Sequence, residues 1–213
     1  MLKLQKKEML MRSFTLLGHN GAGKTTLINY LLGFYPKLSD HPFLEHFAKE
    51  FKRLNTKEVG YAPEGAYIDS SMSAKEYFSL IRAIKADRHT ELGELLKSVS
   101  LDVDVNKPIK TYSKGMKQRL LLALAKVGEP KTIILDEPTS GLDPFGRELV
   151  ESLLLELNTT QNLIISTHSI KLACKLENEI VILKEGRVVF RGFVKNEEEL
   201  EKELQKHRPE VLR

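Results

Sequence analysis

Short runs of consecutive apolar residues alternate along the chain with stretches in which apolar residues recur at helical spacing. The runs lie at residues 14–17, 132–135, 163–165 and 180–183. Strands that are apolar at every position are typical of a parallel sheet covered by helices on both faces. Because such strands alternate with helices, the pattern predicts an α/β fold with a mostly parallel sheet.

The middle of the chain has a different pattern, with no strand-like run between residues 74 and 126. Ser73 followed by Glu76 predicts a capping box that starts a helix, and two further helices are expected at 91–99 and from Ser113 to about 127. We expect an all-α subdomain inserted into the α/β core, within one domain. The predicted parts are a core of residues 1–64 and 127–195, a helical subdomain of about 65–126, and a charged helical tail of 196–213.

The composition is that of an ordinary globular protein. Of 213 residues, 41% are hydrophobic and 29% are charged, which argues against disorder. A single cysteine, Cys174, excludes an intrachain disulfide and a cysteine-rich zinc site, and is compatible with the reducing cytosol. The longest apolar run spans residues 120–125, whereas a membrane helix needs about 20. We therefore expect no membrane crossing by this chain, and its net charge of +4 does not by itself imply nucleic-acid binding.

A glycine-rich loop follows the first apolar run. Residues 18–25 read Gly-His-Asn-Gly-Ala-Gly-Lys-Thr and match G-x-x-x-x-G-K-[ST] directly before a predicted helix. Glycines let backbone N–H groups wrap a phosphate chain, a lysine places a charge on it, and a hydroxyl suits Mg²⁺. The loop predicts binding of a nucleotide with Mg²⁺. The residues expected to bind the nucleotide are Asn20, Gly21, Ala22, Gly23, Lys24, Thr25 and Thr26.

Two adjacent carboxylates follow the apolar run at 132–135. Asp136 stands at the tip of this predicted strand, where we expect it to hold Mg²⁺ through a water molecule, together with Thr25. Glu137 comes next and is predicted to accept a proton from the attacking water. The pair therefore extends the prediction from nucleotide binding to hydrolysis.

Three further motifs point to a family. Residues 112–119, Tyr-Ser-Lys-Gly-Met-Lys-Gln-Arg, resemble the signature motif of ATP-binding-cassette (ABC) ATPases. Residues 140–143, Ser-Gly-Leu-Asp, resemble their D-loop, and His168 resembles their switch histidine. Together with the phosphate loop and the acidic pair, these motifs lie in the family's order from Gly18 to about Gly186.

This resemblance implies a P-loop NTPase core and a head-to-tail dimer of two chains around two MgATP. Ser113 and Gly115 of one copy would face the nucleotide of the other, and Asp143 would cross the dimer interface. His168 would hydrogen-bond the γ-phosphate and align the water with Glu137. The resemblance also implies a separate integral-membrane permease, so we expect the chain on the cytoplasmic, inner face of the cell membrane.

The sequence departs from the family pattern in two places. Glu64 stands where glutamine is usual, and it is still expected to reach Mg²⁺ or its water. With Lys114 and Met116 in the signature, it resembles ABC-2-type ATPases, many of which serve exporters. In addition, no aromatic residue precedes Phe14, so we expect a shortened N-terminus in which the adenine platform is absent or supplied differently. ATP and GTP are then expected to bind within about tenfold of each other.

The leading hypothesis is the ATPase subunit of a membrane exporter, docked through residues 65–86 with Tyr67 and Ile68 as candidate contacts. The alternative is a soluble ABC ATPase that acts on nucleic acid or ribosomes, although no nucleic-acid partner is expected. A third possibility is a regulatory module with weak hydrolysis, against which an intact Glu137 argues.

Overall fold

A six-stranded sheet forms the centre of the molecule. The structure, a computed structural model, describes residues 13–65 and 69–207. The strands are β1 (Phe14–Leu17), β2 (Val59–Ala62), β3 (Thr132–Asp136), β4 (Asn162–Ser166), β5 (Glu179–Lys184) and β6 (Arg187–Gly192). Their order across the sheet is β2-β3-β4-β1-β5-β6, with every pair parallel except β5 and β6.

The order of the strands decides which strand ends become neighbours. Asp136 at the end of β3 lies opposite Ser166 at the end of β4, and Ser166 in turn lies opposite Leu16 of β1. Because parallel strands end at the same edge, the segments that follow β1, β3 and β4 meet there. This edge carries the candidate site.

Helices cover both faces of the sheet. They are α1 (Lys24–Leu31), α2 (Leu44–Glu50), α3 (Ala74–Lys85), α4 (Leu92–Lys97), α5 (Lys114–Ala125), α6 (Pro144–Thr160), α7 (Ile170–Leu176) and α8 (Glu197–Lys206). Alternate residues of β3 enter different clusters: Ile133 and Leu135 pack on the face with α5 and α6, and Ile134 packs on the face with α1 and α2. The predicted α/β fold with a mostly parallel sheet is therefore confirmed.

Between β2 and β3 the described residues contain α3, α4 and α5 and no named strand. The predicted capping box is present, since the Ser73 hydroxyl accepts from the Glu76 N–H and the Glu76 carboxylate accepts from the Ser73 N–H. The helical segment contacts the sheet closely, because a Cβ at Gly60 in β2 would lie 1.8 Å from the carbonyl oxygen of Ala125. The division of the chain into core, helical subdomain and tail stays a prediction.

β2, β6 and α2 are among the elements that the sequence analysis did not predict. β2 is short and contains a glycine, and β6 mixes exposed and half-buried positions, so neither shows a continuous apolar run. α2 lies in a segment without a recognised motif, and it is held by the buried side chains of Leu44 and Phe47. Each of these elements is fixed by its neighbours in the fold more than by its own pattern.

None of the helices within residues 13–65 and 69–207 is both long enough and apolar enough to span a membrane.

Candidate nucleotide-binding site

The loop from Gly18 to Gly23 joins β1 to α1 in a conformation that its glycines permit. Gly21 and Gly23 have φ of 81° and 102°, in the left-handed region that side chains disfavour. At Gly18 a Cβ would lie 2.7 Å from the carbonyl oxygen of Leu183 in β5. The Ala22 N–H closes the turn by donating to the His19 carbonyl at 3.1 Å. The loop is therefore held in shape by its own backbone and by the neighbouring strand.

The remaining residues predicted for this loop surround the start of α1. Asn20 is exposed at the tip, and its carbonyl lies 2.7 Å from Nδ1 of His19. Ala22 is fully buried beneath the loop, and Thr26 is half-buried in the first helical turn. Free N–H groups at the start of a helix favour an anion. The predicted nucleotide-binding residues of the loop thus lie around one helix N-terminus.

Lys24 is buried at the centre of the site, with 8% of its surface exposed. Its Nζ donates to the Gly18 carbonyl at 2.7 Å and to the His19 carbonyl at 3.4 Å. The same Nζ lies 3.6 Å from Oε1 of Glu137. The lysine therefore folds back across the loop and brings the ammonium next to the predicted proton acceptor.

Thr25 and Asp136 form the pair of oxygen donors that the sequence predicts for a metal. The Thr25 hydroxyl donates to Oδ2 of Asp136 at 3.0 Å, and the Ser166 hydroxyl donates to Oδ1 of the same carboxylate. Asp136 is 2% exposed. A buried carboxylate and a hydroxyl are hard oxygen ligands of the kind Mg²⁺ prefers, together with phosphate oxygens and water. Within residues 13–65 and 69–207 no three His, Cys, Asp or Glu side chains form a metal cluster.

Glu137 is held by its backbone on one side and by a histidine on the other. Its N–H lies 3.2 Å from the Ser166 carbonyl and 2.8 Å from the Ser166 hydroxyl. Its φ of 46° is a left-handed conformation, which is sparsely populated for a residue with a side chain. Oε2 of Glu137 lies 2.9 Å from Nδ1 of His168, whose ring is largely exposed. The structure thus brings together the two residues predicted to act in catalysis.

The negative charge of this edge also affects a neighbouring tyrosine. Burial, and secondarily the charge of Asp136, raise the pKa of Tyr61 in β2 to about 12. Both causes disfavour a phenolate beside a carboxylate. Tyr61 is therefore neutral below that pH.

The signature and D-loop residues lie on other elements of the chain. Ser113 caps α5, its hydroxyl accepting from the Met116 N–H at 3.2 Å, and Gly115 has no heavy atom within 4 Å of where a Cβ would lie. Asp143 caps α6 by accepting from the Gly146 N–H at 2.9 Å. In the described part of the chain, no hydrogen bond or ion pair connects Ser113 or Asp143 to residues 18–25. Direct contacts thus link the loop, the acidic pair and His168 within one chain.

Glu64 lies two residues beyond the end of β2, which is the strand paired with β3. Its side chain is exposed. Its role as a metal ligand stays a prediction. Two other expectations fall outside the described residues: the docking contacts Tyr67 and Ile68, and the N-terminal segment 1–12 in which an adenine-stacking aromatic is expected to be missing.

Two residues contribute to the site without having been assigned a role from the sequence. Ser166 bonds both Asp136 and Glu137, and the Gly186 N–H donates to the Ala22 carbonyl at 2.9 Å, so the turn between β5 and β6 supports the phosphate loop. In the sequence, Ser166 is a serine at the end of an apolar run, and Gly186 is a glycine between two strands. Neither pattern indicates which distant residue the serine or the glycine contacts.

The family assignment follows from comparison with known sequences. The profile of the family described as "ABC transporter" matches residues 2–140. The chain belongs to the ABC transporter family. Relatives in this family are named ATP-binding proteins of transporters, in agreement with the resemblance found in the sequence.

Two relatives illustrate the place of this chain in the family. It is 37% identical over 181 residues to the uncharacterized ABC transporter ATP-binding protein YxlF of Bacillus subtilis, with 83% of this chain and 60% of YxlF covered. It is 32% identical over 192 residues to the lantibiotic transport ATP-binding protein SrtF of Streptococcus pyogenes, with 88% of this chain and 82% of SrtF covered. The chain therefore spans about three fifths of the length of YxlF.

Among solved structures, the fold matches a dimeric ATP-binding cassette in a post-hydrolysis state bound to ADP and Pi. The TM-score is 0.67, with 22% sequence identity and 85% of each chain covered. This likeness supports the ABC ATPase fold of the chain.

Proposed function

We propose that this ABC ATPase binds MgATP at the phosphate loop and hydrolyses it, that two copies close around two nucleotides, and that this cycle drives a separate membrane-spanning exporter subunit. The observation that carries the proposal is the arrangement of Lys24, Thr25, Asp136, Glu137 and His168. Contacts of 2.9 to 3.6 Å link Thr25 to Asp136, Lys24 to Glu137, and Glu137 to His168 at one edge of the sheet.

The residues divide the chemistry between them. Lys24 leaves Glu137 and the loop carbonyls to place its charge on the β- and γ-phosphates. The Glu137 carboxylate takes a proton from water while the water oxygen bonds to the γ-phosphorus. The bond from the γ-phosphorus to the bridging oxygen breaks, which yields ADP and inorganic phosphate. His168 contacts Glu137 through Nδ1 and is proposed to form a hydrogen bond with the γ-phosphate.

The metal site fits the same arrangement. Thr25 and Asp136 would hold Mg²⁺, with Glu64 proposed to reach it or its water. Bound there, Mg²⁺ supplies positive charge that offsets the charge of the phosphates. Ser166 orients Asp136 for this task by donating to Oδ1, which leaves Oδ2 and the Thr25 hydroxyl facing each other.

Two copies are proposed because no hydrogen bond or ion pair within residues 13–65 and 69–207 connects Ser113 to the phosphate loop. Ser113 lies at the N-terminus of a twelve-residue helix with no acidic residue in its first turn, which suits an approaching phosphate of the other copy. Gly115 leaves open space for that approach. Asp143 lies exposed at the start of α6, where it can contact the second copy.

The membrane partner is proposed from the relatives and from one helix. SrtF is named for lantibiotic transport, which favours a role in transport. On α3, which follows the proposed docking residues Tyr67 and Ile68, the side chains of Leu80 and Ile84 are 46% and 73% exposed one turn apart. Apolar residues exposed at this spacing suit contact with another protein. The chain would then lie on the cytoplasmic face of the membrane.

The test of nucleotide binding uses Lys24→Ala with Lys131→Ala as the control. Lys131 is exposed and pairs with Glu58 away from the loop. Binding of MgATP, measured by isothermal titration calorimetry, should fall by at least about a hundredfold in Lys24→Ala, since a buried charge-assisted contact is removed. It should be unchanged in Lys131→Ala. Equal affinity in the two variants would refute the assignment of the loop.

The test of the partner is co-purification from detergent extracts of the source membranes. A multi-span protein should elute with the unaltered chain and be lost in a Leu80→Glu, Ile84→Glu double variant that still binds MgATP. Elution with ribosomes or nucleic acid in place of a membrane protein would instead support the alternative function.

A further inference from the structure

Three rings form a row beside the phosphate loop. The centroids of Tyr35 and His41 are 5.8 Å apart, and those of His41 and Phe43 are 5.1 Å apart. All three side chains are half-buried, so part of each remains accessible. We refer to Tyr35, His41 and Phe43 as the aromatic row. It comes from the segment between α1 and α2, in which the sequence showed no motif.

Phe43 connects the aromatic row to the phosphate loop. Its ring occupies the space beside Gly186, where a Cβ would lie 2.0 Å from Cγ of Phe43. Gly186 in turn donates its N–H to the Ala22 carbonyl at 2.9 Å. A single residue therefore separates the Phe43 ring from the backbone of the loop.

The direction of α2 places Phe43 near the start of α1, where the phosphate loop lies. The carbonyl of Phe51, after the end of α2, accepts from the Tyr30 hydroxyl near the end of α1. Phe47, one helical turn before Phe51, lies near the start of α1. Its Cζ is 3.7 Å from where a Cβ of Gly23 would lie. α2 therefore runs against α1, and Phe43, one turn earlier again, lies at the level of the loop.

We propose that the aromatic row, with Phe43 nearest the loop, is the surface on which the base of the bound nucleotide stacks. The inference rests on the proposed function, because a nucleotide anchored by Lys24 and Thr25 must direct its base away from the phosphates. An accessible aromatic ring beside the loop offers a π-face for it. Stacking is tolerant of base identity, so this surface agrees with the expectation of similar affinities for ATP and GTP.

The test compares two ligands that differ in the base. MgATP has a base and inorganic tripolyphosphate with Mg²⁺ has none, and both are titrated calorimetrically into Phe43→Leu, Phe43→Tyr and His41→Leu. Leucine keeps apolar volume over Gly186 but removes the ring, and tyrosine restores the ring. Phe193→Leu is the matched control, because Phe193 is 66% exposed beyond Gly192, at the opposite edge of the sheet.

Phe43→Leu should weaken MgATP binding by about tenfold and leave tripolyphosphate binding unchanged, with Phe43→Tyr close to the unaltered chain. His41→Leu should give a smaller loss of the same kind, and Phe193→Leu should give none. If Phe43→Leu also lowers the affinity for tripolyphosphate, His41→Leu becomes the deciding variant. Equal losses of MgATP and tripolyphosphate affinity in His41→Leu would overturn the proposal. Unchanged MgATP affinity in both variants overturns it as well. Failure of Lys24→Ala to weaken either ligand would refute the proposed function instead.

Discussion

Ser166 connects the two acidic residues of the site, and Ser166→Ala tests that connection. The hydroxyl donates to Oδ1 of Asp136 and lies 2.8 Å from the Glu137 N–H, in a position with no exposed surface. Alanine keeps the strand and removes only the hydroxyl. Asp136 retains the Thr25 contact, and the Glu137 N–H retains the Ser166 carbonyl at 3.2 Å.

The magnitude follows from the charge of the lost partner. A hydrogen bond to a charged group contributes about 1.5–3 kcal/mol to the free energy of unfolding, so we expect a loss of about 2 kcal/mol. In a chain of this size 1 kcal/mol lowers Tm by about 2–4 °C, which gives a decrease of about 4–8 °C. ATP turnover should also fall, because Asp136 and Glu137 lose their shared contact.

The assay is thermal unfolding followed by circular dichroism, with urea unfolding to obtain the free energy. Ser79→Ala is the matched control, since its exposed hydroxyl donates to the Lys75 carbonyl on the surface of α3. Its effect should stay within about 0.5 kcal/mol. If the two variants are equally stable and equally active, the reasoning about Ser166 is refuted.

Three further predictions follow from single contacts. Glu137→Gln should retain MgATP binding, slow hydrolysis by orders of magnitude and accumulate a nucleotide-bound dimer, measured by phosphate release and by size-exclusion chromatography with light scattering. Gly60→Ala should lower the free energy of unfolding by more than about 2 kcal/mol in urea, because its Cβ would meet the Ala125 carbonyl. The raised pKa of Tyr61, to about 12, adds stability that is fully present below its unfolded pKa of about 10 and is lost as pH rises through 12. Tyr61→Phe should therefore lose less stability than the unaltered chain over that interval.

Each of these has an outcome that would contradict it. Hydrolysis at the unaltered rate in Glu137→Gln would remove the proton-acceptor role. Gly93→Ala in α4 is the control for Gly60→Ala, since among the described residues a Cβ at Gly93 has no contact within 4 Å. Equal stability of the two variants would show that β2 and α5 can move apart without a loss of free energy. Identical stability profiles of Tyr61→Phe and the unaltered chain above pH 10 would show that Tyr61 is not buried beside Asp136.

The sequence by itself determined the features that depend on neighbouring residues along the chain. The phosphate loop at 18–25, the strand ending in Asp136, and the helix cap at Ser73 were all predicted from local patterns. Glycine conformations, apolar runs and capping hydrogen bonds act within a few residues, so a linear pattern is enough to recognise them. The family resemblance then predicted which of these motifs belong together.

Only the tertiary structure decided which distant residues meet at the loop. Ser166 reaches Asp136 and Glu137 because β4 lies between β3 and β1, and Gly186 reaches Ala22 because β5 lies on the other side of β1. Phe43 lies beside the loop because α2 runs against α1. Strand order and helix direction result from burial summed over the whole chain, and no local pattern encodes them. The aromatic row therefore became visible only in the folded molecule.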